Sequence, residues 1–209
     1  MGLIGKIIVS LMPIAPKFLV KRIAGRYVAG LNLESAIDLM KIMSKENTCF
    51  TIDVLGEEIN DVDEARYFVD EYSRVLDSIV SNQLDANISL KPTALGLLID
   101  KEVALSNIEE ILKKAALNDI FVRLDMEDHR VTQETIDVVL EMQKKGFQNI
   151  GTVLQGRLFR TKEDIAEVSR ELGSLADFRI CKGIYLESSD ISYTKYCLLY
   201  TSPSPRDRG

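Results

Sequence analysis

The chain has 209 residues, 46% hydrophobic and 28% charged, with a formal net charge of −6. That length and mixture suit one globular domain of ordinary size or an incomplete piece of a larger one. Acidic and basic residues are interspersed, which excludes the dense basic face of a nucleic-acid binder but leaves room for a small anionic substrate held by a few cations.

The opening Met1–Val20 is apolar over Ile4–Leu11, is interrupted by Lys6 and is followed by Pro13 and Pro16. It is too short to span a bilayer. A packed amphipathic helix is expected within an N-terminal helical segment, residues 1–46, with loose contact with a membrane surface as the second reading. The three cysteines, Cys49, Cys181 and Cys197, have no metal-type spacing, and the single histidine, His129, cannot build a His-based metal centre. Cys49 and Cys181 lie in largely apolar runs, where a free thiol behaves as a small hydrophobe. A reducing, cytoplasmic setting is expected.

From Asn47 onward β-rich runs alternate with helical patterns. The runs are Cys49–Leu55, Asn87–Leu90, Ile120–Leu124, Ile150–Leu154 and Phe178–Cys181. The helical stretches are Asp61–Val80, Ser106–Ala116, Thr132–Lys145 and Thr161–Leu172. Ala65, Phe68, Tyr72 and Val75 fall at helical spacing. Ser106 with Glu109, Thr132 with Glu134 and Thr161 with Asp164 read as N-terminal caps, and Gly146 and Gly173 as stops. Strand–helix units repeating every ~30 residues imply parallel crossovers. No glycine-rich turn follows the first strand, as a dinucleotide fold would require. Polar residues gather instead at successive strand ends: Glu57, Lys91, Asp125 with Glu127, Gln155 and Lys182. An α/β fold of the (β/α)8 TIM-barrel type is therefore expected over residues 47–196. A complete barrel takes roughly 250 residues, so about five of its eight units are present and the barrel is open. The run Cys197–Asp207 reads like the in-frame translation of a transposon-type sequencing adapter, so residues 197–209 are expected to be a non-native tail. A natural Ser-Pro-rich tail is the alternative.

Four strand-end segments carry chemistry. In the first, Lys91 ends a buried strand and faces the barrel mouth, unless it is an ordinary solvated lysine. In Phe121–Asp128, alternation puts Arg123 and Asp125 on one side of the strand. Three carboxylates so close together need a basic counterpart, although they also suit a helix entry. In Gly151–Leu158, Gln155 offers both a donor and an acceptor. In Phe178–Tyr185, Arg179 and Lys182 with Gly183 suit an anionic ligand, because glycine lets the backbone approach closely; salt bridges to the Asp125 cluster are equally open.

The order and placement of these segments, with Ala24–Gly30 before the barrel and Leu55-Gly56-Glu57 at the first strand's end, resemble the proline dehydrogenase family from Ile23 to Tyr185. The resemblance implies a barrel holding FAD at its strand C-termini, which oxidises L-proline to Δ1-pyrroline-5-carboxylate and passes electrons to quinone, with peripheral membrane contact following from that chemistry. It makes Lys91 a substrate-carboxylate contact, Asp125 and Arg179 active-site residues, and Met126, Val153, Gln155, Lys182, Gly183 and Ile184 the flavin lining. Ile184 departs from the alanine usual there and is expected to narrow the pocket. The family's Thr-His pair and its late arginines do not occur in the chain, so the 209 residues are expected to hold FAD poorly and turn over proline negligibly. Two alternatives remain. One is a Schiff-base lyase using Lys182, desolvated at a strand end. The other is a non-functional fragment whose open edge after Phe178–Cys181 promotes aggregation.

Overall fold

A computed structural model describes residues 25, 27–30 and 32–195. The expectations for Met1–Val20 and for residues 197–209 lie outside these residues. The chain divides into two units, Met1–Thr48 and Cys49–Gly209. In the first, helix α1 (Leu33–Ser44) starts at Asn32, whose side-chain oxygen accepts the Ser35 N–H at 3.1 Å.

The second unit alternates strand and helix throughout: β1 (Phe50–Asp53), α2 (Glu64–Ser81), β2 (Ala86–Leu90), α3 (Lys101–Ala116), β3 (Val122–Leu124), α4 (Thr132–Lys144), β4 (Ile150–Gln155), α5 (Thr161–Leu172) and β5 (Phe178–Cys181). Short 3-10 turns follow β2 and β3, at Pro92–Leu95 and His129–Val131. All five strands are parallel, in the order β1-β2-β3-β4-β5. Each crossover returns the chain beside the strand it left. A doubly wound sheet would reverse direction from an inner strand; this order winds one way only, as in a barrel wall, and the five strands form a curled half-barrel. Among the described residues β1 and β5 each pair on one side only.

The pleat sorts the side chains. Ile88, Leu90, Val122 and Leu124 are fully buried, as are the helical positions Leu76, Ile108 and Leu112; shielding these groups from water is the main stabilisation of the unit. The alternate residues form rows across the inner side. The register pairs Asp53 with Ser89, Ser89 with Arg123 and Arg123 with Gly151. Arg123 fills that row and binds Asp177 at 2.7 Å. Opposite it only glycine fits, because a Cβ on Gly151 would sit 2.8 Å from the Asp177 carbonyl oxygen and 2.9 Å from the Phe121 ring. Two residues further along each strand, the next row contains Lys91, Asp125, Val153 and Arg179, with Val153 and Arg179 directly paired.

Element order follows expectation, but the caps do not. Helix α3 starts at Asp100, whose carboxylate takes the Glu102 and Val103 N–H groups, so Ser106 and Glu109 lie inside the helix. A carboxylate free to reach two N–H groups starts the helix earlier than the Ser-x-x-Glu pattern would. Thr132 and Thr161 cap nothing. They are first helical residues whose hydroxyls donate to Asp128 O and Gln155 O, at 3.3 and 2.6 Å. Gly146 does stop α4: its φ is +100°, and the Phe147 N–H reaches back to Met142 O at 3.1 Å. Cys49 is exposed, contrary to the small-hydrophobe reading; it precedes the strand and lies outside its buried side.

Candidate active site

At the C-terminal end of β2 the chain runs into Pro92. The residue before a proline is pushed out of the helical region, and Lys91 duly remains extended (φ −97°, ψ 112°). Its side chain thus continues the inner row, and only 11% of it is exposed. Its ammonium lies 3.1 Å from Asp125 Oδ2, 3.4 Å from Glu57 Oε1 and 3.6 Å from Asp53 Oδ2. Burial works against this charge. The hydrogen bond and charge of Asp125, with the charges of Asp53 and Glu57, outweigh it and raise the lysine's pKa.

Asp125 is the hub. Its second oxygen accepts Arg179 Nη2 and the Met126 backbone N–H, each at 3.0 Å. The carboxylate therefore joins cations from β2, the adjacent strand, and from β5, two strands away on the other side. The Arg179 side chain remains half exposed. Asp53 has a raised pKa, because burial outweighs the charge of Lys91 and the hydrogen bond from Tyr72. Tyr72 comes from α2 and is buried. Its hydroxyl lies 2.7 Å from Ser89 O and 3.1 Å from Asp53 Oδ1, and accepts the Val54 N–H at 3.2 Å.

A third level lies above this row. Glu127 is buried and accepts both the N–H and the hydroxyl of Thr93, at 2.9 and 2.6 Å. Burial, opposed by these two bonds, pushes its pKa up to about 6. Thr93 also accepts the Glu58 N–H at 3.0 Å. The Gln155 amide donates to Met126 O and Glu127 O, at 3.2 and 2.7 Å. Its buried Oε1 has no partner among the described residues. Above it lies Gly183 (φ +91°), where an added Cβ would be 2.5 Å from that oxygen.

The structure thus unites Lys91, Asp125 and Arg179 through hydrogen bonds and sets Gln155 against Gly183. Met126 and Val153 are buried in an apolar cluster with Ile136, Leu154 and Val168. Ile184 stands 87% exposed, so its side chain narrows no cavity formed by the described residues. Lys182 is exposed as well, which removes the desolvation that a Schiff-base nucleophile needs. The buried strand-end lysine is Lys91, whose pKa is raised, the opposite of what amine attack requires. Sequence reasoning missed Asp53, Tyr72, Thr93 and the Tyr185 hydroxyl, which donates to Glu57 at 3.0 Å. Strand alternation carries a signal for Asp53. Tyr72 carries none, since a tyrosine at an apolar helical position reads as core.

No helix among the described residues is long and apolar enough to cross a membrane. The family model for proline dehydrogenase matches residues 36–195. "Proline dehydrogenase 1" of Bacillus subtilis (strain 168) is 35% identical over 170 residues, covering 81% of this chain and 55% of that protein. "Proline dehydrogenase" of Deinococcus radiodurans is 30% identical over 179 residues, covering 82% of this chain and 56% of that one. The chain therefore spans about half the length of the curated relatives it matches. In structure it is similar to proline utilization A from Bdellovibrio bacteriovorus, with TM-score 0.71 and 22% identity over 80% of this chain and 21% of that one. The corresponding protein of Bradyrhizobium japonicum gives TM-score 0.62 and 19% identity over 78% and 19%. On this sequence match and the half-barrel fold, the chain belongs to the proline dehydrogenase family.

Proposed function

We propose that this chain forms the β1–β5 wall of an enzyme that oxidises L-proline to Δ1-pyrroline-5-carboxylate with FAD, electrons passing on to quinone at a membrane surface. The observation that carries the reading is the Lys91–Asp125–Arg179 network at the strand ends. Lys91 exchanges a carboxylate partner for the substrate's carboxylate and fixes the reacting carbon in place. Asp125 balances the two cations and holds their rotamers. Arg179, half exposed, supplies positive charge where the reaction accumulates negative charge.

The residues fit a flavin in one specific respect. Gln155 Oε1 is a buried acceptor that lacks a donor among the described residues, and Gly183 beside it leaves no side chain in the way. Met126, Val153, Gln155, Lys182, Gly183 and Ile184 would line the ring. When bound, FAD would accept the hydride that leaves the proline carbon next to nitrogen. Because the chain spans about half the length of its relatives, the test is a chimera in which residues 36–195 replace the matched part of the Bacillus subtilis protein. We expect L-proline to bleach its flavin absorbance and reduce a soluble quinone analogue, with Lys91→Met abolishing saturation by proline. Equal bleaching by the Lys91→Met chimera would refute the assignment.

A further inference from the structure

Beyond the hub around Asp125, one buried charge has no use in the proposed chemistry. Arg157, just past the end of β4, is 8% exposed, yet it has no carboxylate partner among the described residues. A guanidinium removed from water without a counter-ion is costly unless its donors are satisfied. Its terminal groups go to backbone carbonyls, Nη1 donating to Tyr185 O and Nη2 reaching Tyr193 O at 3.5 Å, while the buried Nε has no partner among the described residues. Its main chain holds the same segment, its N–H donating to Lys182 O at 3.1 Å and its carbonyl accepting the Tyr193 N–H at 2.9 Å.

Around it, residues 182–193 run back across the β4–α5 connection as a strap. Leu158 and Ser192 form an antiparallel bridge, and the Phe159 N–H donates to Ile191 O at 2.9 Å. The Phe159 and Tyr193 rings meet edge to face at 4.8 Å. The arginine stem lies beneath Gly183, where an added Cβ would be 2.9 Å from Cδ and 3.1 Å from Cγ. Gly183 is thus required by the protein's own packing, independently of any ligand.

We infer that Arg157 is a positioning residue: it clamps the strap at both ends and so sets the Lys182–Tyr185 segment beside Gln155. The flavin consequence rests on the function proposed above; the clamp itself does not. A lysine has one point charge where arginine has a fork, so it can hold one carbonyl and not both.

The test is amide hydrogen exchange on the 209-residue chain, and on the chimera with and without FAD. Arg157→Met, which retains the stem, should speed exchange across residues 183–193 by roughly tenfold while α3 and α4 stay protected. Arg157→Lys should fall between the two, and it carries the test if the methionine variant fails to fold. Strap exchange as slow in these variants as in the wild type overturns the proposal. In the chimera, FAD should add protection at residues 183–185, and Arg157→Met should lose it. If FAD protects nothing there even in the unsubstituted chimera, the flavin reading fails, while the comparison on the 209-residue chain without FAD still decides the clamp.

Discussion

Replacing Glu127 by glutamine keeps the shape of the side chain and removes its ability to ionise. In the wild type, burial moves this carboxyl from its ordinary 4.5 to about 6. The folded state therefore binds the proton more tightly than the unfolded chain does. Its contribution to stability is fully present below pH 4.5 and is lost as pH rises through about 6. The difference is worth about 2 kcal/mol, and because the residue is buried little of it is screened. Glutamine can still accept the Thr93 N–H and donate to its hydroxyl, so a pH-independent cost of about 1 kcal/mol for imperfect bonding is superimposed. Asp53 titrates in the same sense, and Asp128, Glu109 and Glu110, with lowered pKa values, titrate in the opposite one. The informative quantity is thus the difference between the two proteins, read from urea unfolding midpoints at several pH values. The variant should gain about 2 kcal/mol on the wild type between acid and neutral pH. A difference that stays constant across that range would refute the reasoning.

Three further outcomes are expected. Tyr72→Phe removes the hydroxyl shared by Val54, Ser89 and Asp53, and should lower stability by about 2 kcal/mol; an unchanged Tm would show that water replaces it without loss. In the chimera, Asp125→Ala should reduce both flavin content and proline-dependent bleaching by at least roughly tenfold, as expected when a partly buried hub of charges is broken; unchanged values of both would remove Asp125 from the site. Ile180 is 52% exposed on β5, an edge strand among the described residues, so Ile180→Lys should shift the chain toward monomer in light scattering. Self-association at the wild-type level would place the sticky surface elsewhere.

The strand and helix order was legible because buried parallel strands and amphipathic helices leave different periods in the chain. The association of Lys91, Asp125 and Arg179 was legible for a related reason. Charged residues ending apolar strands have only the mouth to face. Helix starts were legible in part: α4 and α5 begin at the expected Thr132 and Thr161, whereas Asp100 outcompetes Ser106 because a cap depends on backbone geometry that a four-residue pattern does not encode. Lys182 reads as buried by analogy with Lys91, but it lies just past the end of β5 at Cys181 and is exposed among the described residues. The partnership between Asp53 and Tyr72 joins a strand to a helix 19 positions away, and local spacing cannot report it.

That partnership also makes the outer layer answerable to the inner one. Tyr72 passes from α2 into the seam between β1 and β2, and its hydroxyl meets the carboxylate that faces Lys91. A rise of about 1.5 Å, one residue of helical slippage, would withdraw that hydroxyl from all three of its partners. Substitutions on the buried stripe of α2, remote from any ligand, would then be felt as a change in how Lys91 is held. Natural variation along that helix should accordingly be tied to variation in the strand ends, even though the two never share a surface with the substrate.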